Sequence, residues 1–421
     1  MTNKTLKALA KRSKKASRKV ALLSDEAKSR ALKAAACALK DNEATLLTAN
    51  REDIAFAKRQ DYPPAFVDRL KLDSQRLASM VQAVEEIAEL KDPVGEVVEE
   101  WISKDKIHIK KVRAPLGVIG MIYESRPNVT VESAALCLKA GNSVILRGGS
   151  EAVNSNAALA QVFSKAIASQ GIPKDAVLFL EDTDRKNIYE LARLDGWVDL
   201  IIARGSEEMV RDIKKRATVP VLGHGKGVCH VFVDKSAALS MAEEIAFNSK
   251  VQRPGVCNAM ETLLVHRGIA QQFLPILGRR YGKAGVILKG DAAACKIFPA
   301  MRRATAKDWP AEYLDLILAV KVVDSVDQAV AHINRYGSGH TDSIVTQDVA
   351  CAERFLKGVD SAAVFHNLST RMHDGSVFGL GAEIGISTAK LHARGTMGVR
   401  ELTSVKYVAE GSGQIRTRNL H

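Results

Sequence analysis

The feature of this sequence that most limits its fold is a regular alternation of strand-like and helix-like segments between Leu116 and Leu222. Short apolar runs such as LGVIGMIYES, SVILRGG and VDLIIARG are typical of buried strands. Segments with helical apolar spacing, such as TVESAALCLKAG and SNAALAQVFSKAIASQGIP, separate these runs. Because parallel strands need a long crossover, usually a helix, the alternation predicts an α/β fold with a parallel sheet wound with helices.

A second alternating series begins at Val228 and predicts a second α/β domain. The residues before Val97 have the apolar spacing of helices, whereas EVVEEWISKDKIHIKKVRAP alternates around a polar centre and indicates a β-hairpin. The C-terminal segment VRELTSVKYVAEGSGQIR also alternates, so we expect it to pair with that hairpin. The predicted first domain comprises residues 1–96 and 115–227, and the predicted second domain comprises residues 228–401. The hairpin, residues 97–114, and the tail, residues 402–421, form a third part.

Length and composition exclude several classes of protein. The chain has 421 residues, of which 46% are hydrophobic, which is enough apolar material for large cores. No run of about 18 apolar residues predicts a membrane span, and we expect no secretory signal. The six cysteines are scattered without CxxC pairs, which indicates reduced thiols in the cytoplasm. No metal site is predicted.

The net charge of +13 suits an enzyme whose ligands are anionic. Much of this charge lies near the start, in KTLKALAKRSKKASRKV. Apolar residues such as Leu6, Ala10 and Val20 keep near-helical spacing there, which favours an amphipathic surface helix. A nucleic-acid-binding arm and an organelle transit peptide are the alternatives, because both are also basic.

Cys257 is the strongest candidate for a reactive residue. It lies in NSKVQRPGVCNAMETLLVH, where a Pro-Gly turn ends a helical pattern just before a strand-like run, so the sulfur should be displayed. Arg253 and Lys250 are close in sequence, and a nearby cation lowers the pKa of a thiol. The alternative is a small core residue, as most lone cysteines are, and Cys137 and Cys351 fit that alternative better.

Two glycine-containing turns are candidates for nucleotide binding. IIARGSEEMV predicts a strand, a turn at Gly205 and Ser206, and the start of a helix, whose backbone amides attract phosphate. LGHGKG brings Gly223, Gly225 and Lys226 into a short loop whose backbone a ligand can approach closely. An ordinary strand–helix turn and an ordinary tight turn are the respective alternatives.

The segments PLGVIGMIYESRPNVTVESAALCLKAGNSVILRGGSEA, GVC and INRYGSGHTDSI, in this order, resemble the aldehyde dehydrogenase superfamily. YESRPNVT, GHTDSI and FGLGAEIGISTAKLHARG are similar to its gamma-glutamyl phosphate reductase (glutamate-5-semialdehyde dehydrogenase) branch, over essentially the whole chain. The resemblance implies a Rossmann-like NADP-binding first domain, a catalytic second domain, and a hairpin and tail that make oligomer contacts. It also implies NADPH-dependent reduction of L-glutamyl 5-phosphate to glutamate 5-semialdehyde in the cytoplasm, the second step of proline biosynthesis from glutamate.

The resemblance assigns the nucleophile to Cys257. Its thiolate would attack the acyl phosphate, expel phosphate and form a thioacyl enzyme, which hydride transfer then converts through a thiohemiacetal to the aldehyde. The backbone N–H of Cys257 is one expected oxyanion donor. The second donor is either Arg126, which stands where relatives have an asparagine, or Asn128, two residues further on. Arg126 is also suited to bidentate binding of the substrate phosphate.

Departures from other members of the superfamily bear on the cofactor. Hydrolytic relatives carry a general-base glutamate where this chain has VLGHGKG, and an acyl-phosphate reductase does not need to activate water. Relatives that favour NAD place a glutamate three residues after a ribose-binding lysine, and the same count from Arg147 gives Ser150. An arginine without that carboxylate should tolerate a 2′-phosphate, which favours NADPH. The expected cofactor-binding residues are Arg147, Ser150, Gly205, Ser206, Gly223, Gly225 and Lys226.

Polar residues in two late segments are candidates for substrate binding. Asp342 in GHTDSI is expected to pair with the substrate ammonium, and Arg371 in FHNLSTRMHDGS to hold the α-carboxylate. His340, Thr341 and Asn367 complete this set. The alternative for each is an ordinary solvated loop residue.

Two other functions compete with the reductase. An enzyme that oxidises aldehydes and hydrolyses its thioester is disfavoured because the general-base glutamate is missing. A basic nucleic-acid-binding protein agrees with the charge, but no aromatic–basic motif supports it. Besides a small-molecule substrate, the expected partners are a second copy of the chain and the upstream glutamate kinase, with neither nucleic acid nor membrane.

Overall fold

The computed structural model describes residues 3–416. Met1, Thr2 and residues 417–421, which fall within the predicted first domain and tail, lie outside the described residues. The chain divides into two compact units, each described by itself below. The first unit comprises Met1–Leu222, Leu380–Gly385 and Met397–His421, and the second comprises Gly223–Gly379 and Ile386–Thr396.

Regular elements are numbered in chain order. The helices are α1 Asn3–Val20, α2 Asp25–Asp41, α3 Glu43–Arg59, α4 Pro64–Leu70, α5 Ser74–Glu89, α6 Pro127–Lys139, α7 Val153–Ser169, α8 Lys186–Leu191, α9 Glu207–Arg216, α10 Leu239–Val251, α11 Arg267–Lys283, α12 Ala292–Ile297, α13 Val326–Tyr336 and α14 Val349–Gly358. The strands are β1 Val97–Ile102, β2 His108–Pro115, β3 Val118–Tyr123, β4 Ser143–Arg147, β5 Val177–Phe179, β6 Leu200–Arg204, β7 Val221–Leu222, β8 Cys229–Val233, β9 Met260–His266, β10 Ile287–Gly290, β11 Arg302–Arg303, β12 Ile317–Val323, β13 Thr341–Val345, β14 Ala363–His366, β15 Ile386–Ser387, β16 Gly395–Thr396 and β17 Thr403–Glu410.

The first unit is built on a parallel sheet with strand order β5-β4-β3-β6-β7. Its central strand β3 is buried at every position, as expected for a parallel strand with both faces covered. The apolar stripe of α1, which includes Leu6 and Ala10, belongs to the same buried cluster as Ile201 of this sheet. Lys14 of α1 forms an ion pair of 2.6 Å with Asp199. The basic N-terminal segment is therefore an amphipathic helix, as predicted.

The predicted hairpin and tail form an antiparallel sheet with order β1-β2-β17. β17 pairs with β2 along its whole length, from Thr403 opposite Pro115 to Glu410 opposite His108, and this pairing confirms the prediction for the tail. The outer strand β1 is exposed along its length, and Ile102 is 72% exposed. The sheet therefore carries an exposed edge with apolar side chains.

The second unit is built on a parallel sheet with strand order β11-β10-β12-β9-β8-β13-β14. One buried cluster joins Leu263 and Val320 of the sheet to Phe273 of α11. A separate cluster joins Phe232 of β8 to helices α13 and α14. Helices thus cover both faces, which explains why the strands appear in the sequence as continuous apolar runs.

The division between the units differs from the predicted boundaries. Residues 223–227 belong to the second unit, because Gly227 N donates to Glu312 Oε1 at 2.7 Å and His224 Nδ1 hydrogen-bonds to the Ile386 carbonyl at 2.9 Å. The predicted second domain ran to residue 401, but residues 380–385 and 397–401 belong to the first unit. Among the described residues, no helix is both long and apolar enough to cross a membrane.

Candidate active site

The loop that carries Cys257 joins α10 to β9. α10 ends at Val251, and the Pro-Gly turn redirects the chain before β9 begins at Met260. Cys257 is partly exposed, whereas Cys137 and Cys229 are buried, and burial raises the pKa of both of these thiols. The loop therefore displays the sulfur of Cys257 at the amino end of a buried strand.

Two histidines from neighbouring strands lie beside Cys257. His340 directly precedes β13, and His224 lies in the glycine loop that leads into β8. Since β9, β8 and β13 are consecutive in the sheet, the amino ends of these parallel strands lie side by side. One ring nitrogen of each histidine and the Cys257 Sγ all lie within 4.8 Å of one another. The proximity of His224 was not predicted from the sequence.

Buried hydrogen bonds fix the orientation of His340. Its Nδ1 shares a hydrogen bond of 2.7 Å with Thr341 Oγ1, which shares another of 2.6 Å with His373 Nδ1. Burial lowers the pKa of His340, although the neighbouring Cys257 thiol acts in the opposite direction. Burial also lowers the pKa of His373 to about 4. The imidazole next to Cys257 is therefore neutral at pH 7, and a neutral imidazole can accept a thiol proton.

Of the two predicted cations near the cysteine loop, Lys250 is already paired. The Lys250 ammonium is fully buried in an ion pair of 2.7 Å with Glu261, and burial lowers the pKa of this lysine. Its charge is therefore already matched by a carboxylate, contrary to the prediction that it would act on the thiol. Arg371 instead donates hydrogen bonds to Gln252 Oε1 and Asn258 Oδ1, on either side of the loop. Arg371, which was predicted to bind the α-carboxylate of the substrate, therefore lies at the cysteine loop.

Asp342 does not fit the role predicted for it. Its carboxylate is fully buried and accepts hydrogen bonds from the backbone N and Nδ1 of His230, both at 2.8 Å, and from Ser361 Oγ. Because β13 places this side chain inside the sheet–helix layer, it cannot reach a substrate ammonium without leaving these donors. The predicted pairing of Asp342 with the substrate is therefore wrong.

Two further substrate candidates have structural partners. Asn367 accepts a hydrogen bond from Thr346 N and donates one to Thr346 O, each at 3.0 Å, so it holds the loop after β13. Its φ of +59° is a conformation that asparagine tolerates better than most residues. Thr341 is buried and bonded to two histidine rings. Thr341 therefore orients imidazoles instead of facing a ligand.

The glycine loop packs against the cysteine loop. A Cβ on Gly227 would lie 1.8 Å from the carbonyl oxygen of Cys257, so only glycine allows this close approach. Gly223 has a φ of +143°, and Lys226 Nζ donates to the Pro310 carbonyl at 3.2 Å. The predicted cofactor residues Gly223, Gly225 and Lys226 thus belong to the second unit, with Cys257.

The other predicted cofactor residues share one edge of the first unit's sheet. β4 and β6 end at Arg147 and Arg204, so Arg147, Gly205 and Ser206 all lie at the carboxyl edge, where parallel sheets bind nucleotides. Ser206 caps α9 by accepting a hydrogen bond of 3.3 Å from Met209 N. A Cβ on Gly205 would lie 2.2 Å from the Met209 methyl group, so a larger residue there would require this flexible side chain to move.

Carboxylates stand close to Arg147, and the sequence analysis missed them. Ser150 is exposed, but the next residue, Glu151, is buried and accepts hydrogen bonds of 2.8 and 2.9 Å from the N–H and hydroxyl of Ser125. Burial lowers the pKa of Arg147, and the nearby Glu151 charge partly offsets this effect. Burial and the Glu151 charge raise the pKa of Glu124. Position 150 itself carries no carboxylate, as the count from Arg147 gave, but the carboxylates of Glu151 and Glu124 lie near this arginine.

The two candidates for the second oxyanion donor lie at the start of α6. Arg126 is exposed at the N-cap position, and Asn128 donates a hydrogen bond of 2.9 Å to Glu132 Oε1 one turn further on. Burial raises the pKa of Glu132, while Asn128 and the Arg126 charge oppose this shift. Both side chains keep polar atoms at the same helix end, so both stay candidates.

Comparison with known proteins agrees with the fold. The aldehyde dehydrogenase family model matches residues 1–309. Two parallel α/β sheets covered by helices, with a cysteine on the loop before a buried strand, are the features expected of that class. The chain belongs to the aldehyde dehydrogenase family.

Relatives within that family are gamma-glutamyl phosphate reductases. The enzyme of this name from Caldanaerobacter subterraneus is 53% identical over 407 residues, which cover 97% of this chain and 98% of the relative. That from Carboxydothermus hydrogenoformans is 52% identical over 408 residues, 97% of this chain and 98% of the relative. The crystal structure of the Thermotoga maritima protein superimposes with a TM-score of 0.96 at 45% identity, covering 98% of this chain and all of that one. The predicted resemblance to this branch is confirmed.

Proposed function

We propose that this protein reduces L-glutamyl 5-phosphate to L-glutamate 5-semialdehyde with NADPH and releases phosphate. The observation that carries the proposal is a displayed thiol, Cys257, beside the neutral imidazole of His340, in a chain 53% identical to a gamma-glutamyl phosphate reductase. This reaction is the second step of proline biosynthesis from glutamate. Reduced, scattered thiols agree with action in the cytoplasm.

The first chemical step forms an acyl enzyme. His340 accepts the thiol proton of Cys257, and the sulfur attacks the carbonyl carbon of the acyl phosphate. The C–O bond to phosphate breaks, and phosphate leaves with its electron pair. The backbone N–H of Cys257, with Arg126 or Asn128 as a second donor, stabilises negative charge on the carbonyl oxygen.

The second step releases the aldehyde. NADPH, when bound, supplies a hydride to the thioester carbon. The resulting tetrahedral adduct on Cys257 collapses with cleavage of the C–S bond, and the proton held by His340 returns to the sulfur. The imidazole of His340 is neutral when it accepts the proton in the first step, and the imidazolium formed there donates that proton in the second.

The first unit fits a dinucleotide. Gly205 lies in the turn after β6 at the carboxyl edge of the sheet, and Arg147 Nε is buried without a hydrogen-bond partner among the described residues. Arg147 would hold the 2′-phosphate, which supports NADPH over NAD. Glu151 is compatible with this assignment because Ser125 already binds its carboxylate. Gly223, Gly225 and Lys226, in the glycine loop, stay proposed contacts of the cofactor.

Arg371 is the proposed anchor of the substrate α-carboxylate. It lies at the cysteine loop, and its pKa is lowered by burial but raised by the nearby Cys257. A guanidinium can bind a carboxylate with two parallel hydrogen bonds. The α-ammonium group has no assigned partner, because Asp342 is excluded.

Two assemblies are also proposed. The exposed apolar side chains of β1 support a homo-oligomer that pairs through the hairpin and tail. Because an acyl phosphate hydrolyses readily in water, the kinase that makes the substrate is a sensible transient partner.

The test is reduction of NADP by the purified protein with glutamate semialdehyde, with and without phosphate, in the reverse direction. We expect turnover that requires phosphate and disappears in Cys257→Ala. Cys351→Ala is the matched control and should keep full activity, since Cys351 lies on α14 and burial raises its thiol pKa to about 12. Turnover without phosphate would indicate the alternative, oxidation with hydrolysis of the thioester. Unchanged turnover in Cys257→Ala would contradict the mechanism.

A further inference from the structure

The cluster of His224, Cys257 and His340 has the composition of a transition-metal site. Two imidazoles and one thiolate are ligands that Zn²⁺ prefers, and three protein ligands leave a fourth position for water or an anion. The three donor atoms lie within 4.8 Å of one another, on the amino ends of adjacent strands in one sheet. All three residues belong to the second unit, so the cluster is complete within it.

The hydrogen bonds of the two Nδ1 atoms indicate that Nε2 is the nitrogen of each ring that can offer a lone pair to a metal. His224 Nδ1 lies 2.9 Å from the Ile386 carbonyl, to which it can only donate, so Nε2 is left with its lone pair. His340 Nδ1 is bonded to Thr341 Oγ1, and His340 Nε2 is fully buried without a hydrogen-bonded nitrogen or oxygen partner among the described residues. A metal-bound histidine commonly donates its other N–H to a backbone carbonyl or hydroxyl, as both rings can here.

We propose that His224, Cys257 and His340 bind one Zn²⁺ ion and that this ion reversibly blocks the reactive sulfur. The ion takes up the sulfur lone pair that would attack the carbonyl carbon, and it displaces the thiol proton to solvent. Binding itself does not depend on the proposed reaction, whereas its inhibitory effect rests on the proposed function.

Little movement is needed to form the site. In a tetrahedral Zn²⁺ site with bonds of 2.0–2.3 Å, neighbouring donor atoms are roughly 3.5 Å apart. The donors here need to approach by no more than about 1.3 Å, which rotation of the Cys257 side chain on its turn can supply. Both rings are held by protein hydrogen bonds, so the cysteine is the adjustable ligand.

The direct test uses the untagged, full-length protein after removal of the reducing agent. Co²⁺ serves as a spectroscopic substitute for Zn²⁺. We expect a thiolate-to-cobalt absorption band that saturates near one equivalent and that Zn²⁺ abolishes. The band should be absent in Cys257→Ser, and His224→Ala should weaken Zn²⁺ binding by at least about tenfold. Cys37→Ser, which removes an exposed thiol, is the control and should bind Co²⁺ as wild type does. A band that persists in Cys257→Ser, or equal Zn²⁺ affinity of His224→Ala and wild type, would overturn the proposal.

A parallel activity measurement separates this site from the proposed function. Zn²⁺ should inhibit the NADP-dependent reaction at the concentrations that displace Co²⁺, and a chelator should restore full activity. If the protein lacks reductase activity but shows a Cys257-dependent cobalt band, the metal site stands and the function fails. If the wild-type protein is an active reductase, and Cys257→Ser binds Zn²⁺ with the same affinity as wild type, the function stands and the metal site is wrong.

Discussion

In the proposed mechanism, His340 is the base that removes the thiol proton of Cys257. Because burial keeps the imidazole neutral, it can remove the thiol proton without a permanent positive charge beside the sulfur. We predict that His340→Gln lowers kcat roughly 100-fold or more, which is the usual contribution of a general base. The rate at which iodoacetamide alkylates Cys257 at pH 7 should also fall, because the neutral imidazole takes up the thiol proton as the sulfur attacks.

The control for this prediction is His266→Gln. His266 caps α11, where its side chain accepts a hydrogen bond from Gly268 N, and it lies outside the cysteine cluster. This variant should be alkylated as fast as wild type, and a melting curve should show that both variants are folded. Equal alkylation rates of His340→Gln and wild type would remove His340 from the mechanism.

Single residues show what a sequence can and cannot predict about a site. Cys257 was identifiable because a Pro-Gly turn between a helix and an apolar run is a local signal. Asp342 stands in an equally polar segment, yet its carboxylate accepts hydrogen bonds from His230 and Ser361, which are distant in sequence. Glu151 was missed because the count from Arg147 tested only position 150, whereas the buried carboxylate belongs to the next residue of the same short 3₁₀ turn. Hydrogen-bond partners that are distant in sequence depend on the order of strands in the sheet, and residue spacing does not predict that order.

At the scale of elements, helix α13 buries His332, and no acid among the described residues forms an ion pair with it. The ring of His332 packs against Trp309, Tyr336 and His230, and burial and nearby positive charges lower its pKa to about 3. In the unfolded chain, a histidine has a pKa of about 6.5. The unfolded state therefore binds more protons as the pH falls, so the stability contributed by neutral His332 is present above pH 6.5 and is lost below it.

We predict that the wild-type protein loses roughly 1–3 kcal/mol through this residue between pH 7 and pH 4.5. His332→Phe keeps the aromatic packing but has nothing to protonate, so its unfolding free energy should fall less over this range. The measurement is urea denaturation of both proteins at the two pH values, monitored by fluorescence. Identical pH dependence would show that His332 is not protonated on unfolding.

Periodicity predicted the long elements well and the short ones poorly. The buried strands β3, β4, β8 and β9 appear in the sequence as apolar runs, because helices cover both faces of each parallel sheet. The strands β11, β15 and β16 span two residues each, too few to show a period, and they form only where a neighbouring strand supplies hydrogen bonds. The order β9-β8-β13, which assembles the site, depends on tertiary contacts and could not be read from any one segment.

For the whole molecule, the alternation of strands and helices was sufficient to predict two α/β units. It was not sufficient to predict where each unit begins and ends. The glycine loop and residues 380–385 cross the predicted boundaries because single hydrogen bonds and close contacts attach them, such as Gly227 N to Glu312. Composition does not change at these positions, so no sequence signal marked them. The pairing of β17 with β2 was predictable because both strands alternate clearly.

The hairpin and tail carry the last prediction, which concerns assembly. β1 is an exposed edge strand, and Ile102 on it is 72% exposed, while Trp101 packs edge-on against Tyr407 of β17. An apolar strand edge of this kind invites pairing with a second copy, and a lysine on such an edge opposes pairing. We predict that wild type sediments as a multiple of the 45.6 kDa chain and that Ile102→Lys shifts towards a single chain. Val349→Lys, at a 68% exposed position on α14, is the matched control and should sediment as wild type does. A monomeric wild type, or an Ile102→Lys variant with the wild-type mass, would mean that this sheet is not the oligomer interface.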